Sequence, residues 1–199
     1  MFSRRLDSIL AKSTHNILLL GPRQAGKSTL ICGLHPQLTI NLARESTFLE
    51  LASNPHALEE RLAARAEPSL TVFIDEVQRL PSLLNTLQAL IDEHPRKYRF
   101  LLTGSSARKL RRGNANLLPG RVHTYALGAI TAQETGYRFP LSQGLSTGAL
   151  PGILSEPKDE VRRKTLRSYA SVYVREEIQA EGLTRSIEGF ARFINVLGE

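Results

Sequence analysis

Nine residues near the start of the chain have types and spacing suited to holding phosphate. The sequence from Gly21 to Thr29 reads G-P-R-Q-A-G-K-S-T, and it directly follows the apolar residues 17–20, I-L-L-L. It fits the pattern G-x-x-x-x-G-K-[ST], set between a predicted strand and a predicted helix. The stretch therefore predicts a loop that binds a nucleoside triphosphate, and an ordinary strand-to-helix turn is the alternative.

The chemistry expected of this loop follows from its residue types. Gly21 and Gly26 let the main chain curl around phosphate oxygens, and the amino end of the next helix attracts anions. We expect Lys27 to bring its ammonium charge to the β- and γ-phosphates, and Ser28 to ligate Mg²⁺ through its hydroxyl. The predicted phosphate-binding residues are Gly21, Pro22, Arg23, Gln24, Ala25, Gly26, Lys27, Ser28 and Thr29.

Two adjacent acids follow a second predicted strand. Residues 70–74, L-T-V-F-I, form a run of β-branched and apolar residues that is followed directly by Asp75 and Glu76. Ligands of open α/β sheets bind at the carboxyl ends of the strands, so we expect both acids beside the phosphate loop. Asp75 is predicted to hold Mg²⁺, directly or through water, and Glu76 to polarise the water that attacks the γ-phosphate. An acidic helix cap facing solvent is the alternative.

Two further positions are candidates for the reaction. The fourth predicted strand ends in T-G-S-S at residues 103–106, and Ser105 is the first choice for sensing the γ-phosphate and orienting water, ahead of Thr103. An N-cap of the next helix is an equally good interpretation of Ser105. Arg121 is expected to reach the γ-phosphate of this subunit or a neighbour, unless it only caps the fifth strand at the surface.

The motifs favour ATP over GTP. The guanine-reading string Asn-Lys-x-Asp is absent, and so is an Asp-x-x-Gly after the third strand. A catalytic carboxylate beside the Mg²⁺ acid suits hydrolysis by water. We therefore expect ATP and Mg²⁺ as ligands, ATP hydrolysis as the reaction and ADP as a product. A nucleotide-dependent switch with little turnover and a nucleic-acid-binding module are the alternatives that the sequence leaves open.

Composition narrows the class of protein and its partners. The 199 residues carry a formal charge of +7 and a single cysteine, Cys32, which excludes an internal disulfide. No apolar run reaches membrane length and the first residues lack a secretion signal, so a cytoplasmic location is the default expectation. Basic clusters at 108–112 and 162–167 are interpreted as solvated faces, although contact with nucleic acid stays open. A second copy of the chain and a protein partner are both compatible with the sequence.

Strands that alternate with helices organise the first 130 residues. Predicted strands cover residues 16–20, 38–42, 70–74, 98–103 and 121–127, and predicted helices cover 4–12, 27–34, 44–52, 55–66 and 81–93. Such alternation predicts an α/β fold with a parallel sheet and right-handed crossovers. Residues 131–157 are predicted to be a loop-rich connector, and residues 158–199 a helical segment that starts another domain.

Several strings together resemble a known family. G-P-R-Q-A-G-K-S-T-L from Gly21, F-I-D-E-V-Q-R-L-P from Phe73 and F-L-L-T-G-S-S-A from Phe100 are similar to prokaryotic AAA-superfamily ATPases with a C-terminal domain of unknown function. L-L-P-G-R from Leu117 and Y-A-S-V-Y-V-R-E-E from Tyr169 resemble two further motifs of that family. The resemblance covers roughly residues 4–197.

The resemblance carries its own expectations. It implies an ATPase core over residues 1–130 with the P-loop NTPase fold, a sheet of five strands in the order 5-1-4-3-2, and helices on both sides of the sheet. Family members are longer, with nuclease-like features in a C-terminal half that this chain does not include. Apolar residues at positions 190–197 have no assigned partner. We therefore expect the chain to be a fragment, or these residues to need a partner.

Overall fold

The computed structural model describes residues 2–112, 117–173 and 186–197. The chain divides into two compact units, residues 1–130 and residues 131–199. No helix in the described ranges is both long enough and apolar enough to cross a membrane.

A parallel sheet of five strands forms the centre of the first unit. Its strands are β1 (Asn16–Leu20), β2 (Leu38–Asn41), β3 (Leu70–Asp75), β4 (Tyr98–Gly104) and β5 (Val122–Ala126). They lie in the order β2-β3-β4-β1-β5, which is the expected order 5-1-4-3-2 counted from the opposite edge. The predicted α/β fold with a parallel sheet is confirmed.

Helices connect these strands. The first unit contains α1 (Arg5–Lys12), α2 (Lys27–Cys32), α3 (Glu45–Ser53), α4 (Ala57–Ala63), a 3₁₀ turn (Val77–Arg79), α5 (Leu83–Glu93) and α6 (Ala107–Arg112). The prediction from sequence found α1 to α5 with ends shifted by a few residues. It missed α6 and the 3₁₀ turn that follows the acid pair, because both are too short to show a helical period.

Alternating residues of the strands pack on opposite faces of the sheet. In β1, Leu18 lies in one core cluster, whereas Ile17 and Leu19 lie in the other. The same alternation places Val72 in the first cluster and Phe73 in the second. Full burial of such a side chain contributes about 1.5–3 kcal/mol. A slip of one residue would exchange the faces of a whole strand, so packing fixes which residues reach the carboxyl edge.

The pairing register brings the predicted site residues level with one another. Leu19 of β1 is opposite Thr103 of β4, and Leu20 is opposite Gly104. Ile74 of β3 is opposite Leu102, one residue before Thr103. Strands β1, β3 and β4 therefore end at the same edge of the sheet, where the phosphate loop and the acid pair begin.

The second unit is helical in the described ranges. It contains α7 (Leu141–Thr147), α8 (Pro151–Ser155), α9 (Asp159–Tyr173) and α10 (Ile187–Leu197). The predicted loop-rich connector thus includes two short helices, α7 and α8. Both contain Gly or Pro residues, which in a sequence indicate loop. The middle of the predicted helical segment, residues 174–185, lies outside the described residues, as does the end of the family-like string from Tyr169.

Candidate functional site

The predicted phosphate loop curls at the carboxyl edge of the sheet. The N–H of Gly21 donates to the carbonyl oxygen of Gly104, at the end of β4, over 3.2 Å. A Cβ atom on Gly21 would lie 2.0 Å from the carbonyl oxygen of Leu127, so a side chain at this position would displace the main chain. Gln24 and Gly26 have positive φ angles of 62° and 91°. Left-handed residues of this kind turn successive N–H groups toward one side, where they attract an anion.

Lys27, the first residue of α2, is held inside this curl. Its side chain is buried, with 5% of its surface exposed. Its Nζ donates to the carbonyl oxygens of Gly21 and Pro22 over 2.8 and 2.9 Å. Both acceptors belong to the loop itself. The ammonium group is therefore placed at the loop.

Asp75 joins the loop to the neighbouring strands. It is the last residue of β3, and 8% of its surface is exposed. Its Oδ1 accepts a hydrogen bond of 2.9 Å from the Ser28 hydroxyl and another from the Thr103 hydroxyl. Because Ser28 directly follows Lys27, the structure brings the lysine and the acid to the same edge of the sheet. Thr103, the second choice from the sequence, is the residue that contacts this carboxylate.

Glu76 has an unusual backbone conformation. Its φ and ψ angles are 63° and 43°, in the left-handed region that a residue with a side chain seldom occupies. Holding such a residue there costs about 1–3 kcal/mol, and strain of this kind concentrates at functional sites. The N–H of Glu76 donates to Thr103 Oγ1 over 3.2 Å, which fixes the turn against β4.

Gln78 was not singled out from the sequence, yet it connects two of the predicted residues. Its Nε2 donates to a carboxylate oxygen of Glu76, Oε2. Its Oε1 accepts a hydrogen bond of 3.2 Å from the N–H of Ser105. The side chain thereby bridges the ends of β3 and β4. The sequence signal for Gln78 is its place in the string D-E-V-Q, two residues after Glu76. The 3₁₀ turn that follows the acids brings the Gln78 side chain back to the Glu76 carboxylate.

Ser105 has a hydroxyl oxygen that is buried and makes no hydrogen bond among the described residues. The neighbouring serine, Ser106, accepts a hydrogen bond of 3.1 Å from the N–H of Arg108 at the start of α6. Ser106 therefore takes the capping position that was the alternative interpretation of Ser105. An unpartnered buried hydroxyl beside Gln78 has the capacity to bond a ligand.

Arg121 is not brought to the phosphate loop of its own chain. It precedes β5, so it lies at the amino edge of the sheet, and the loop lies at the carboxyl edge, about 16 Å away along a five-residue strand. Its guanidinium forms a bidentate pair with Asp92, with both N–O distances at 2.8 Å. These bonds hold the pKa of the Asp92 carboxyl below its usual value. The expectation of an arginine finger within one chain is wrong, and a role toward a neighbouring copy stays a prediction.

Arg4 is a second site residue that no sequence pattern singles out. It is buried, and its guanidinium donates to the carbonyl oxygen of Ala25 in the phosphate loop over 2.8 Å. It also donates to the carbonyl oxygens of Gly128 and Ala129, over 2.8 and 3.3 Å. These partners lie far from Arg4 along the chain, so no local sequence pattern points to them.

The oxygen atoms at the site suit a magnesium ion. Ser28 Oγ and the Asp75 carboxylate lie within 2.9 Å of each other, and both are hard ligands. Among the described residues, no group of three or more His, Cys, Asp or Glu side chains could enclose a metal. Mg²⁺ needs no such cage, because it usually keeps waters and takes further oxygens from substrate phosphates. The site therefore fits a metal shared with a nucleotide.

A protein-family model described as an AAA domain matches residues 13–136 of the chain. The match includes the phosphate loop, both acids and Ser105. An uncharacterized protein of Mycobacterium bovis and one of Mycobacterium tuberculosis are each 37% identical to the chain over 123 residues. The alignments cover 60% of this chain and 26% of each relative, so the chain spans about a quarter of the length of these relatives.

Among solved structures, the chain resembles the P-loop NTPase domain of the sigma-54 transport activator from E. coli. The TM-score is 0.44 at 16% sequence identity, and the alignment covers 64% of this chain and 93% of that domain.

Proposed function

The chain belongs to the AAA domain family, and from that premise we propose that it binds ATP with Mg²⁺ and hydrolyses ATP to ADP and phosphate. Nucleotide binding in general follows from the family, whereas the nucleotide, the metal and the turnover are the proposal. The observation that carries it is the 2.9 Å bond from Ser28 Oγ to Asp75 Oδ1. This bond joins the phosphate loop to the acid at the end of β3.

The phosphate loop would grip the β- and γ-phosphates from two sides. The curl between Gly21 and Gly26 presents backbone N–H groups, and α2 adds the positive end of its dipole. Lys27 Nζ would exchange its bonds to the Gly21 and Pro22 carbonyls for bonds to phosphate oxygens. Bonds from an ammonium to phosphate are charge-assisted and about twice as strong as neutral ones, which favours this exchange.

Ser28 and Asp75 are the residues that would hold Mg²⁺, the serine through its hydroxyl and the aspartate through its carboxylate. A metal held by these two residues would supply positive charge against the phosphate groups of the nucleotide. Thr103 would keep the Asp75 carboxylate oriented, because its hydroxyl donates to the same oxygen that Ser28 contacts.

Glu76 is proposed as the general base. It would accept a proton from the attacking water as the new P–O bond forms and the bond to the β–γ bridging oxygen breaks. Gln78 holds Oε2 of the carboxylate, which leaves Oε1 for the water proton. Ser105, whose buried hydroxyl makes no hydrogen bond to any residue that the structure describes, is proposed to donate to the γ-phosphate or the water. A base placed this way typically contributes about 10²- to 10⁴-fold to the rate.

The experiment that tests this function is a titration of the chain with fluorescent ATP and GTP analogues, with and without Mg²⁺, followed by phosphate release. We expect ATP to bind more tightly than GTP, Mg²⁺ to strengthen binding, and phosphate to appear over time. Binding without phosphate release would support the nucleotide-dependent switch instead. Failure to bind either analogue would refute the proposal.

Replacing Gln78 with methionine should slow turnover and leave nucleotide affinity nearly unchanged. Methionine has similar length but neither donates to Glu76 nor accepts from the N–H of Ser105. Loss of one hydrogen bond to a charged group is worth about 1.5–3 kcal/mol, so kcat should fall about 10- to 100-fold. Steady-state phosphate release gives kcat, and analogue titration gives the affinity.

Gln37 provides the matched control for this substitution. Its Oε1 also accepts a backbone N–H, that of Thr71, over 2.7 Å, but at the amino end of β3. Gln37→Met should therefore leave kcat as in the wild type. Equal kcat in the Gln78 variant and the wild type would remove Gln78 from the mechanism.

A further inference from the structure

We propose that Arg4 is a positioning residue of the phosphate loop. Its guanidinium fixes the Ala25 carbonyl and thereby directs the N–H of Gly26 toward the bound phosphates. The inference rests on the proposed nucleotide binding, and it assigns a role to a residue outside the loop, the metal ligands and the general base.

The contacts of Arg4 connect three separate parts of the first unit. Arg4 immediately precedes α1, and its backbone N–H donates to the Asp7 carboxylate over 2.7 Å. Its Nη1 donates to Ala25 O over 2.8 Å, and its Nη2 to Gly128 O over 2.8 Å. Only 9% of the residue is exposed. A buried charge is tolerated where hydrogen bonds replace its hydration, and here backbone carbonyls do so.

The bond to Ala25 has a geometric consequence inside the loop. A peptide group is planar and trans, so the carbonyl of Ala25 and the N–H of Gly26 point in opposite directions. Arg4 draws the carbonyl toward itself, and the N–H of Gly26 therefore points away from the guanidinium. That N–H belongs to the loop that is proposed to surround the phosphates.

This peptide group needs an external restraint because of Gly26. Gly26 has a φ of 91°, and glycine occupies positive and negative φ with similar ease. Rotation of the Ala25–Gly26 peptide would therefore meet little resistance from the residue itself. Rotation would turn the carbonyl oxygen, a negative dipole end, toward the phosphates. The guanidinium opposes this rotation, since it would lose a charge-assisted hydrogen bond.

The several N–H donors of the Arg4 guanidinium also fix the position of the guanidinium itself. Gly128 and Ala129 lie shortly after the end of β5, and Nη2 donates to both of their carbonyl oxygens. Leu10 of α1 is completely buried, so the helix that carries Arg4 is anchored in the core. The guanidinium is thereby held from α1 and from the end of β5, and it holds the loop in turn. Lysine, with one compact ammonium, cannot reproduce this planar fork.

The test compares Arg4→Met and Arg4→Lys with the wild type in titrations with ATP, ADP and inorganic pyrophosphate. A positioning role predicts that Arg4→Met weakens all three about 10- to 100-fold, because a charge-assisted bond that orders the loop is lost. Arg4→Lys should recover part of the affinity. At saturating ATP, kcat should stay within about threefold of the wild type, since the guanidinium of Arg4 bonds backbone carbonyls of the loop and of the segment after β5.

Two controls separate positioning from a general loss of stability. Arg5→Met changes the adjacent exposed arginine and should leave all three affinities unchanged. Addition of ADP should shift the amide resonance of Gly26 strongly in the wild type and weakly in Arg4→Met, recorded below the unfolding temperature of both. If Arg4→Met does not fold, the titrations and the Gly26 amide measurement are made on Arg4→Lys instead.

The outcomes distinguish this inference from the proposed function. Wild-type affinity for all three ligands in a folded Arg4 variant would overturn the positioning role and leave the ATPase proposal intact. A fall in kcat without a fall in affinity would also overturn it. A wild-type chain that binds none of the three ligands would overturn both.

Discussion

Replacing Lys27 with alanine is expected to abolish measurable ATP binding. The ammonium group is already held at the loop by the Gly21 and Pro22 carbonyls, so little ordering remains when phosphate arrives. Loss of two charge-assisted bonds to phosphate would cost about 3–6 kcal/mol, which corresponds to about 100-fold or more in affinity. Calorimetric titration with ATP and Mg²⁺ measures the effect.

Lys97 supplies the control for the lysine substitution. It precedes β4, at the amino edge of the sheet, and its Nζ lies 5.2 Å from the centre of the Tyr98 ring. Lys97→Ala removes the same charge far from the loop and should bind ATP as the wild type does. Binding by Lys27→Ala within threefold of the wild type, set against that control, would contradict the assignment of the loop.

Replacing Glu76 with glutamine is expected to stop turnover while ATP remains bound. Glutamine has nearly the same shape and the same cost in the left-handed conformation, but its amide cannot accept a proton from water. The rate of phosphate release should fall about 10²- to 10⁴-fold. Single-turnover phosphate release measures the chemical step, and analogue titration shows that the nucleotide still binds.

Glu50→Gln is a suitable comparison for this variant. Glu50 is an exposed carboxylate on α3 that is paired with Arg61. It should show the native rate. If Glu76→Gln hydrolyses ATP as fast as the Glu50 variant, Glu76 is not the general base. Loss of binding in Glu76→Gln would instead indicate that the carboxylate supports the metal or the loop.

The site motifs could be predicted from sequence because local patterns determine where they lie. Apolar runs of strand length precede Gly21 and Asp75, and parallel strands that end in polar residues gather those residues at one edge. The direct bond between Ser28 and Asp75 agrees with that expectation. The choice between Thr103 and Ser105 could not be made from sequence, because strand pairing decides which hydroxyl faces Asp75.

The errors have physical reasons as well. No local pattern around Arg121 shows which edge of the sheet it occupies; it precedes β5, and parallel strands place such residues at the amino edge. Arg4 could not be found, since its partners Ala25 and Gly128 come from distant parts of the chain. Helices α7 and α8 cannot be told from loop in the sequence, because they contain Gly144 and Pro151 and are too short to show a helical period.

The close approach of Leu127 to Gly21 has a consequence for biosynthesis. The first turn of the phosphate loop is shaped by a carbonyl that is translated much later, and the N–H of Leu127 bonds back to Leu20 over 2.8 Å. When only the loop and the acid pair have emerged from the ribosome, the nascent chain lacks the Leu127 carbonyl group against which Gly21 packs. Competence to capture nucleotide should thus arise only after β5 has emerged and paired with β1.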